Sequence, residues 1–388
     1  MSSIRSELES AGLLFPDFKK SNFEVAKQIA KGSGSIIGND TEKIFFIAID
    51  ALGYDLLIKA LSKSAVLRGA FGSEDPIKIS TLFPSFTPTL FTSIDSGLMP
   101  SEHGIIGSPL PVKEYGAFQD VFGMNWWPTT EDLLQKKHIR PLFPSPNQVL
   151  KMARKKSFYY LQSEEVMRRA RNTDAIKHIN ALAYISHDDF IFQARSLLKH
   201  ASLVYAYIGD VDHAQHVYTK GTTHGFRIVL DYLERIAERL VPYAKEAGWK
   251  LIITSDHGQL SIHNRDVVHI GPNSKLMQYV SMPPWGSESA MFFEVADTKQ
   301  KRFEEYFDTL MGKKFLLYSS EEAIKAGLFG KRKTDEWLRY RFGTHIAISK
   351  GNYIMTYAKP GVQHRKFGAR GHHGGMTKEE MEVPLIIV

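Results

Sequence analysis

Along the chain, short apolar runs alternate with segments whose apolar residues recur every three to four positions. The runs at 44–49, 157–161, 203–209, 250–255, 291–295, 353–358 and 384–388 have the length and β-branched or aromatic content of buried strands. The clearest helical segment is 225–245, where Ile228, Tyr232, Ile236, Leu240 and Val241 share one face, Glu234 and Arg235 point elsewhere, and Gly248 lies just past the end. Strand and helix in alternation predict an α/β fold with a mostly parallel sheet sandwiched by helices. Residues 1–40 read as an N-terminal helical extension packed on the core, 41–261 as the first part of the core and 346–388 as its last part. Between them, 262–345 changes character: Pro272, Pro283 and Pro284 precede a short strand, an amphipathic helix at 299–311 and the basic residues Lys331 to Lys333. This stretch is expected to form a small inserted α/β lid domain.

Three of the runs end abruptly in aspartate. Ile44 to Ile49 is followed by Asp50, Leu203 to Ile208 leads to Asp210 and Asp212, and Lys250 to Ser255 is followed by Asp256. Burying one carboxylate costs several kcal/mol unless its charge is compensated, so three strand ends of this kind point to a multivalent cation. Histidines stand beside them: His216 four residues after Asp212, His257 next to Asp256, and His372 and His373 in a glycine-rich turn. Any one Asp and His pair is more often a hydrogen-bonded turn. Their co-occurrence at the ends of strands, where ligands of such sheets gather, favours a metal site. Carboxylate oxygen mixed with imidazole nitrogen suits zinc or manganese rather than calcium or magnesium.

Two dications carry about +4, and Asp50, Asp212 and Asp256 return about −3, so the filled site keeps a small positive excess suited to a phosphate anion. A nucleophile belongs nearby. Thr87 is followed by Pro88 and by an apolar-rich stretch ending at Gly97, which predicts a helix with Thr87 as N-cap and proline at the first position. Its hydroxyl and the first backbone N–H groups would then lie at the positive end of a helix, where a phosphoryl oxygen is held. Bound to a cation, Thr87 could react as an alkoxide near neutral pH.

Composition narrows the rest. The chain has 388 residues, no cysteine and a net charge of +7, which excludes disulfides and thiolate chemistry and fits a small anionic partner. Its basic residues are scattered in clusters such as Lys151, Arg154, Lys155, Lys156 and Arg168, Arg169, Arg171. These read as solvated helix faces, so stable nucleic-acid binding is not expected. No run of about 18 apolar residues occurs, hence no membrane span is expected. Met1 to Ser10 carries Arg5, Glu7 and Glu9 without an apolar segment, so no secretory signal is read and a cytoplasmic location is expected. Asn125-Trp126-Trp127-Pro128 could stack on a nucleobase or simply pack in the core or the lid. Gly221-Thr222-Thr223 reads as a turn capping the helix that follows.

The ordered blocks carry a resemblance. Phe46-Ile47-Ala48-Ile49-Asp50-Ala51-Leu52-Gly53, Phe83-Pro84-Ser85-Phe86-Thr87, and Ser96 through Ile105 resemble the type I phosphodiesterase and nucleotide pyrophosphatase branch of the alkaline phosphatase superfamily. Asp212 with His216, Thr254-Ser255-Asp256-His257-Gly258, and His373-Gly374-Gly375 followed by Val383-Pro384-Leu385 are similar to its later blocks. The resemblance implies an alkaline-phosphatase-like core and two divalent ions, most often Zn2+ and alternatively Mn2+. It implies that Asp212, His216 and His373 hold one ion, and that Asp50, Asp256, His257 and the Thr87 oxygen hold the other. It further implies attack by Thr87 on phosphorus, giving a phosphothreonine that water hydrolyses. The function implied is that of a phosphodiesterase or nucleotide pyrophosphatase acting on a small phosphate ester such as a nucleotide. The rivals are a phosphomonoesterase and a metal-binding module without turnover. Leu90 stands where several members carry asparagine, leaving His103, Thr222, His224 or Arg370 as alternative donors to the phosphate. The Gly-Gly after His373 favours it over His372 as ligand, and the motif that sulfatases need for their formylglycine is missing.

Overall fold

A computed structural model describes the chain except residues 1–3, 40–41, 73–74, 114–115, 122–125, 128–142, 156, 171–178 and 358–369; of Trp126, Trp127, Lys155 and 168–170 it describes the backbone alone. The central sheet contains strands β1 (Ile44–Ile49), β2 (Ile77–Ser80), β3 (Phe158–Ser163), β4 (Asn180–Tyr184), β5 (Leu203–Ile208), β6 (Lys250–Thr254) and β7 (Glu382–Ile387). Their spatial order is β2-β7-β6-β1-β5-β3-β4. Neighbours pair in parallel except β7, which runs antiparallel to both β6 and β2. The α/β reading of the sequence therefore holds.

Side-chain alternation along β1 explains the layers. Phe45, Ile47 and Ile49 enter one buried cluster with Val229, Leu233 and Ile236 of the helix Thr223–Arg239. Ile44, Phe46 and Ala48 enter another with Leu90 and Ile94 of the helix Thr87–Ser96 and with Phe23, Val25 and Ile29 of the helix Asn22–Lys31. Both faces of a strand with period two are thus covered, which is why its sequence reads as continuously apolar.

A second, antiparallel sheet is built from Trp285–Gly286, Ala290–Phe293, Phe315–Ser319 and His345–Ser349. On it packs the helix Gln300–Met311 through Phe303, Phe307 and Met311. Its last strand runs to Ser349, and Ile354–Tyr357 pairs with Val267–Ile270 in a separate ribbon.

Two helix readings need correction. The segment 225–245 is divided: one helix ends at Arg239, and a second, Val241–Glu246, starts after Leu240 with Pro242 in its first turn. Proline has no N–H for the preceding turn, so the longer helix stops there. The buried stripe of the first helix is Gly225, Val229, Leu233 and Ile236, with Ile228 half-exposed. The second correction concerns Thr87, which is the first helical residue rather than the N-cap; Phe86 takes the cap position, with no side-chain capping bond. Gly97 closes that helix at φ 78°, as its left-handed conformation allows. Thr222 caps the helix Thr223–Arg239 by accepting from the Gly225 N–H.

Candidate active site and metal centre

Pairing register brings the aspartates together. Ile49 of β1 lies opposite Ile208 of β5, and Ala48 lies opposite Thr254 of β6. Asp50, the start of the helix Asp210–Tyr218 and the Ser255–Gly258 segment therefore leave the sheet side by side at its carboxyl edge. Strand β1 is closed by an Asp50 N–H bond to the Ile208 carbonyl at 2.8 Å. Ala51 follows with φ 57°, a conformation that costs a non-glycine residue about 1 kcal/mol or more. It is retained by its surroundings: its N–H donates to Asp256 Oδ1 at 3.1 Å, and Gln215 Nε2 donates to its carbonyl at 2.8 Å.

All seven residues singled out by the sequence meet here. Thr87 Oγ1 lies 3.0 Å from His257 Nε2. That nitrogen is 3.4 Å from Asp50 Oδ1 and 3.4 Å from Asp256 Oδ2. The His257 ring stacks on His373 with centroids 3.7 Å apart, His373 Nε2 is 3.9 Å from Asp212 Oδ1, and Asp212 Oδ2 is 3.1 Å from His216 Nε2. Two compact groups result, each with ligand atoms within 4.8 Å of one another: Asp50, Asp256 and His257, and Asp212, His257 and His373. His257 belongs to both, whereas His216 lies beside the second group through Asp212. His372 points elsewhere, its Nδ1 3.9 Å from Glu288.

The donor set fits divalent cations on three grounds. First, Asp50 Oδ1 and Asp256 Oδ2 are buried with no hydrogen-bond partner among the described residues. Second, each imidazole is fixed by a backbone carbonyl at Nδ1: Gly258 for His257 at 3.0 Å, Ser85 for His373 at 3.0 Å, and Gly371 for His216 at 2.6 Å. A carbonyl only accepts, so each Nδ1 carries the proton and each Nε2 turns inward, the arrangement that outer partners impose on metal-binding histidines. Third, the protonation states of the site's two most buried imidazoles suit ligands, whereas His216, which burial would lower, is raised by its contact with Asp212. Burial lowers His257 to about 4 and His373 to about 3, with the neighbouring imidazoles assisting, so both are neutral at pH 7. Burial, then the Asp256 and Asp212 carboxylates, raise Asp50 well above the usual carboxylate range, and burial likewise raises Asp256. Without a cation, carboxylates so close hold a proton. Asp212 behaves differently: burial would raise it, but its His216 hydrogen bond and the nearby imidazoles bring it to about 2.

Several contributors were not read from the sequence. Tyr207 donates its hydroxyl to Asp50 Oδ2. Gln259 Nε2 donates to Asp212 Oδ1 at 2.8 Å. Period-two alternation carries the signal for the first, because Ala48 lies opposite Tyr207 and Asp50 continues the same face of β1. Ser85, a neighbour of the predicted nucleophile, is fully occupied: its Oγ donates to the Gly375 carbonyl and accepts from the Gly374 N–H. Leu90 is buried in the core and brings no polar group to the site.

Of the alternative donors, His103 is committed to Ser93 Oγ at 2.9 Å and to the Ile105 N–H. Thr222 caps its helix, the His224 ring packs edge-on against Tyr218, and Arg370 is exposed. Trp126–Trp127 form a short strand, but their side chains, with Asn125 and Pro128, lie outside the described residues. Lys151 and Arg154 are exposed, as expected of a solvated face, whereas the side chains of Lys155, Lys156, Arg168, Arg169 and Arg171 lie outside the description. Among the described residues no helix is long and apolar enough to cross a membrane.

A mostly parallel sheet flanked by helices, with carboxylates and imidazoles converging at its carboxyl edge, is the arrangement expected of an alkaline-phosphatase-like phosphoester hydrolase. The family model for type I phosphodiesterase / nucleotide pyrophosphatase matches residues 45–376, and the chain belongs to that family of enzymes. Comparison with curated proteins returned no match. Among solved structures, murine ectonucleotide pyrophosphatase / phosphodiesterase 5 is similar with a TM-score of 0.64 at 15% identity, covering 88% of this chain and 87% of that one. The human counterpart gives 0.59 at 13% identity, covering 89% and 87%. Phosphonoacetate hydrolase from Sinorhizobium meliloti 1021, in complex with phosphonoacetate, gives 0.62 at 15% identity, covering 89% of each chain. At such identities the likeness concerns the fold.

Proposed function

We propose that the chain hydrolyses a small phosphodiester or nucleotide pyrophosphate, with Thr87 as nucleophile and two divalent ions, zinc first and manganese second, as cofactors. The observation that carries this reading is the Thr87 hydroxyl, 3.0 Å from His257 Nε2 at the meeting point of the two ligand groups. Asp212, His216 and His373 would hold one ion, and Asp50, Asp256, His257 and Thr87 Oγ1 the other. Such ions supply charge neutralisation and acidify an oxygen they bind.

The chain's own residues set up the rest. Thr87 Oγ1 is not spent on capping its helix, so it is available to phosphorus. It attacks to form an Oγ1–P bond as the bond from phosphorus to the leaving oxygen breaks, the hydroxyl proton passing by way of solvent to the leaving oxygen; water then attacks phosphorus, the Oγ1–P bond breaks, and a proton from that water restores the Thr87 hydroxyl. His257 Nε2 has one lone pair, which cannot both accept the Thr87 proton and bind a cation. Acidification of the Thr87 hydroxyl would therefore come from a bound ion and not from His257 as base. The N-terminal end of the helix Thr87–Ser96 adds a positive potential towards phosphoryl oxygens. The 262–345 unit is assigned the role of a lid, and 1–40 that of an extension packed on the core. An AMP complex of the murine neighbour's inactive form and a phosphonoacetate complex of the bacterial one are consistent with small anionic phosphorus compounds as substrates.

The test is hydrolysis of bis-p-nitrophenyl phosphate and p-nitrophenyl phosphate by the zinc-loaded protein and by Thr87→Ala. The variant should keep its metal content nearly intact under zinc loading while turnover falls by several orders of magnitude, and acid-quenched wild type should carry phosphate on Thr87. Faster cleavage of the monoester would make the enzyme a phosphomonoesterase. No hydrolysis, with fewer than two ions bound per chain, would leave a metal-binding module.

A further inference from the structure

The segment that carries Asp256 and His257 is held by a residue from outside the matched family region. Beyond Thr254 the chain leaves β6, and β7 pairs with it only as far as Thr254 opposite Leu385. The carbonyls of Ser255 and Asp256 thus lose their sheet partners while remaining buried, where an unpaired carbonyl is costly. Asn22, fully buried at the start of the helix Asn22–Lys31, supplies the missing donor. Its Nδ2 lies 2.9 Å from the Ser255 carbonyl, 3.2 Å from the Asp256 carbonyl and 3.0 Å from Thr81 Oγ1. Its Oδ1 accepts from the Phe23 N–H at 2.8 Å, which fixes the orientation of the amide. Thr81 donates its hydroxyl to the same Asp256 carbonyl. The N-terminal segment is tied down alongside: the Ser80 N–H bonds the Lys20 carbonyl, and Ser21 bridges Ser80.

Holding these two carbonyls fixes the peptide plane between Asp256 and His257. From that plane the His257 N–H donates to Asp256 Oδ1 at 2.9 Å, turning the other oxygen, Oδ2, towards His257 Nε2. We infer that Asn22 is a positioning residue for the Asp50, Asp256 and His257 group, so that the N-terminal segment is a working part of the metal centre. This rests on reading Asp256 and His257 as ligands. Outer contacts of this kind alter metal affinity about 10–100-fold when removed.

The experiment compares wild type, Asn22→Ala, Thr81→Val and Ser21→Ala. Zinc uptake is followed by chelator competition, and hydrogen exchange of residues 255–258 is measured in the ion-free proteins. Ser21→Ala removes a helix cap that accepts from the Glu24 N–H but touches neither carbonyl, so it reports general loosening of the N-terminal helix. In Asn22→Ala, one of the two ions should bind about tenfold or more weakly while the other is unchanged. Exchange at 255–258 should be faster, excess zinc should restore turnover, and Thr81→Val should show the same pattern more mildly. Unchanged affinity in Asn22→Ala, or an equal loss in Ser21→Ala, overturns the inference while leaving the ligand assignment standing. Should Asn22→Ala not fold, Thr81→Val decides by the same two readouts. A wild type that takes up no ion overturns both.

Discussion

Tyr207→Phe isolates one hydrogen bond of the proposed metal centre. The ring of Tyr207 is held by Phe91, edge-on at 82° with centroids 4.8 Å apart, so losing the hydroxyl leaves the packing in place. What disappears is the donor to Asp50 Oδ2. Asp50 Oδ1 already lacks a hydrogen-bond partner among the described residues, so the variant carboxylate has neither oxygen supported. A hydrogen bond to a charged group contributes about 1.5–3 kcal/mol. Two effects then act in the same direction. The carboxylate loses its orientation, and its affinity for a proton, already raised by burial and by Asp256 and Asp212, rises further because the Tyr207 bond was lowering it. A proton on Asp50 competes with the cation, so the weakening should grow as pH falls. Near pH 8 the affinity for one ion should drop about 10–100-fold, or about 1.4–2.7 kcal/mol, and by more at pH 6. Competition with a chromogenic chelator at pH 8, 7 and 6, with near-ultraviolet dichroism as the folding control, measures this. Affinities within about twofold of wild type at every pH would refute the argument, since a hydrogen bond to a ligand carboxylate cannot vanish without consequence if that carboxylate binds the ion.

The remaining predictions are simpler. Leu90→Asn should destabilise the protein by about 3 kcal/mol without improving diester hydrolysis, because the side chain is buried among the Thr87–Ser96 helix and the sheet; urea unfolding and the bis-p-nitrophenyl phosphate rate check both halves. Zinc at about 100 times its dissociation constant should raise the stability by about 2.7 kcal/mol per ion, and EDTA should reverse it, as read from thermal unfolding. His103 is pushed from 6.5 to about 3 by burial first and by the Arg341 charge second. The unfolded chain therefore gains its proton first as pH falls, and the associated stability, complete above pH 6.5, is lost towards pH 3. By pH 5 that loss is about 2 kcal/mol, and His103→Gln should show a correspondingly shallower decline in urea unfolding between pH 7 and 5.

How much of this was legible depended on whether the determining force acts along the chain or across it. Buried strands such as Ile44–Ile49 announce themselves because both faces must be apolar, and an aspartate directly after one is conspicuous for the same reason. Edge strands do not. Ile77–Ser80 and Asn180–Tyr184 close the two sides of the sheet, are largely half-exposed or exposed, and carry Lys78 and Asn180 among their few residues, so no apolar run marks them. The break at Leu240 was written in Pro242 but masked by the apolar periodicity on either side of it. The same division governs the site. An aspartate that follows a buried strand stands out by itself, because its cost when buried belongs to that residue alone, whereas the histidines gained meaning only from occurring beside three such aspartates. Tyr207, Gln259 and Asn22 are ordinary polar side chains whose role arises only when strand register sets a carboxylate or an orphaned carbonyl in front of them. Placing ligand-type residues together requires topology, but making them bind requires the second layer that fixes oxygen and nitrogen lone pairs. That layer comes from β5, from the residue after the Ser255–Gly258 segment, and from an N-terminal helix more than two hundred residues distant along the chain. A variant that keeps every ligand and loses part of that layer should retain the fold and bind an ion about 10–100-fold more weakly.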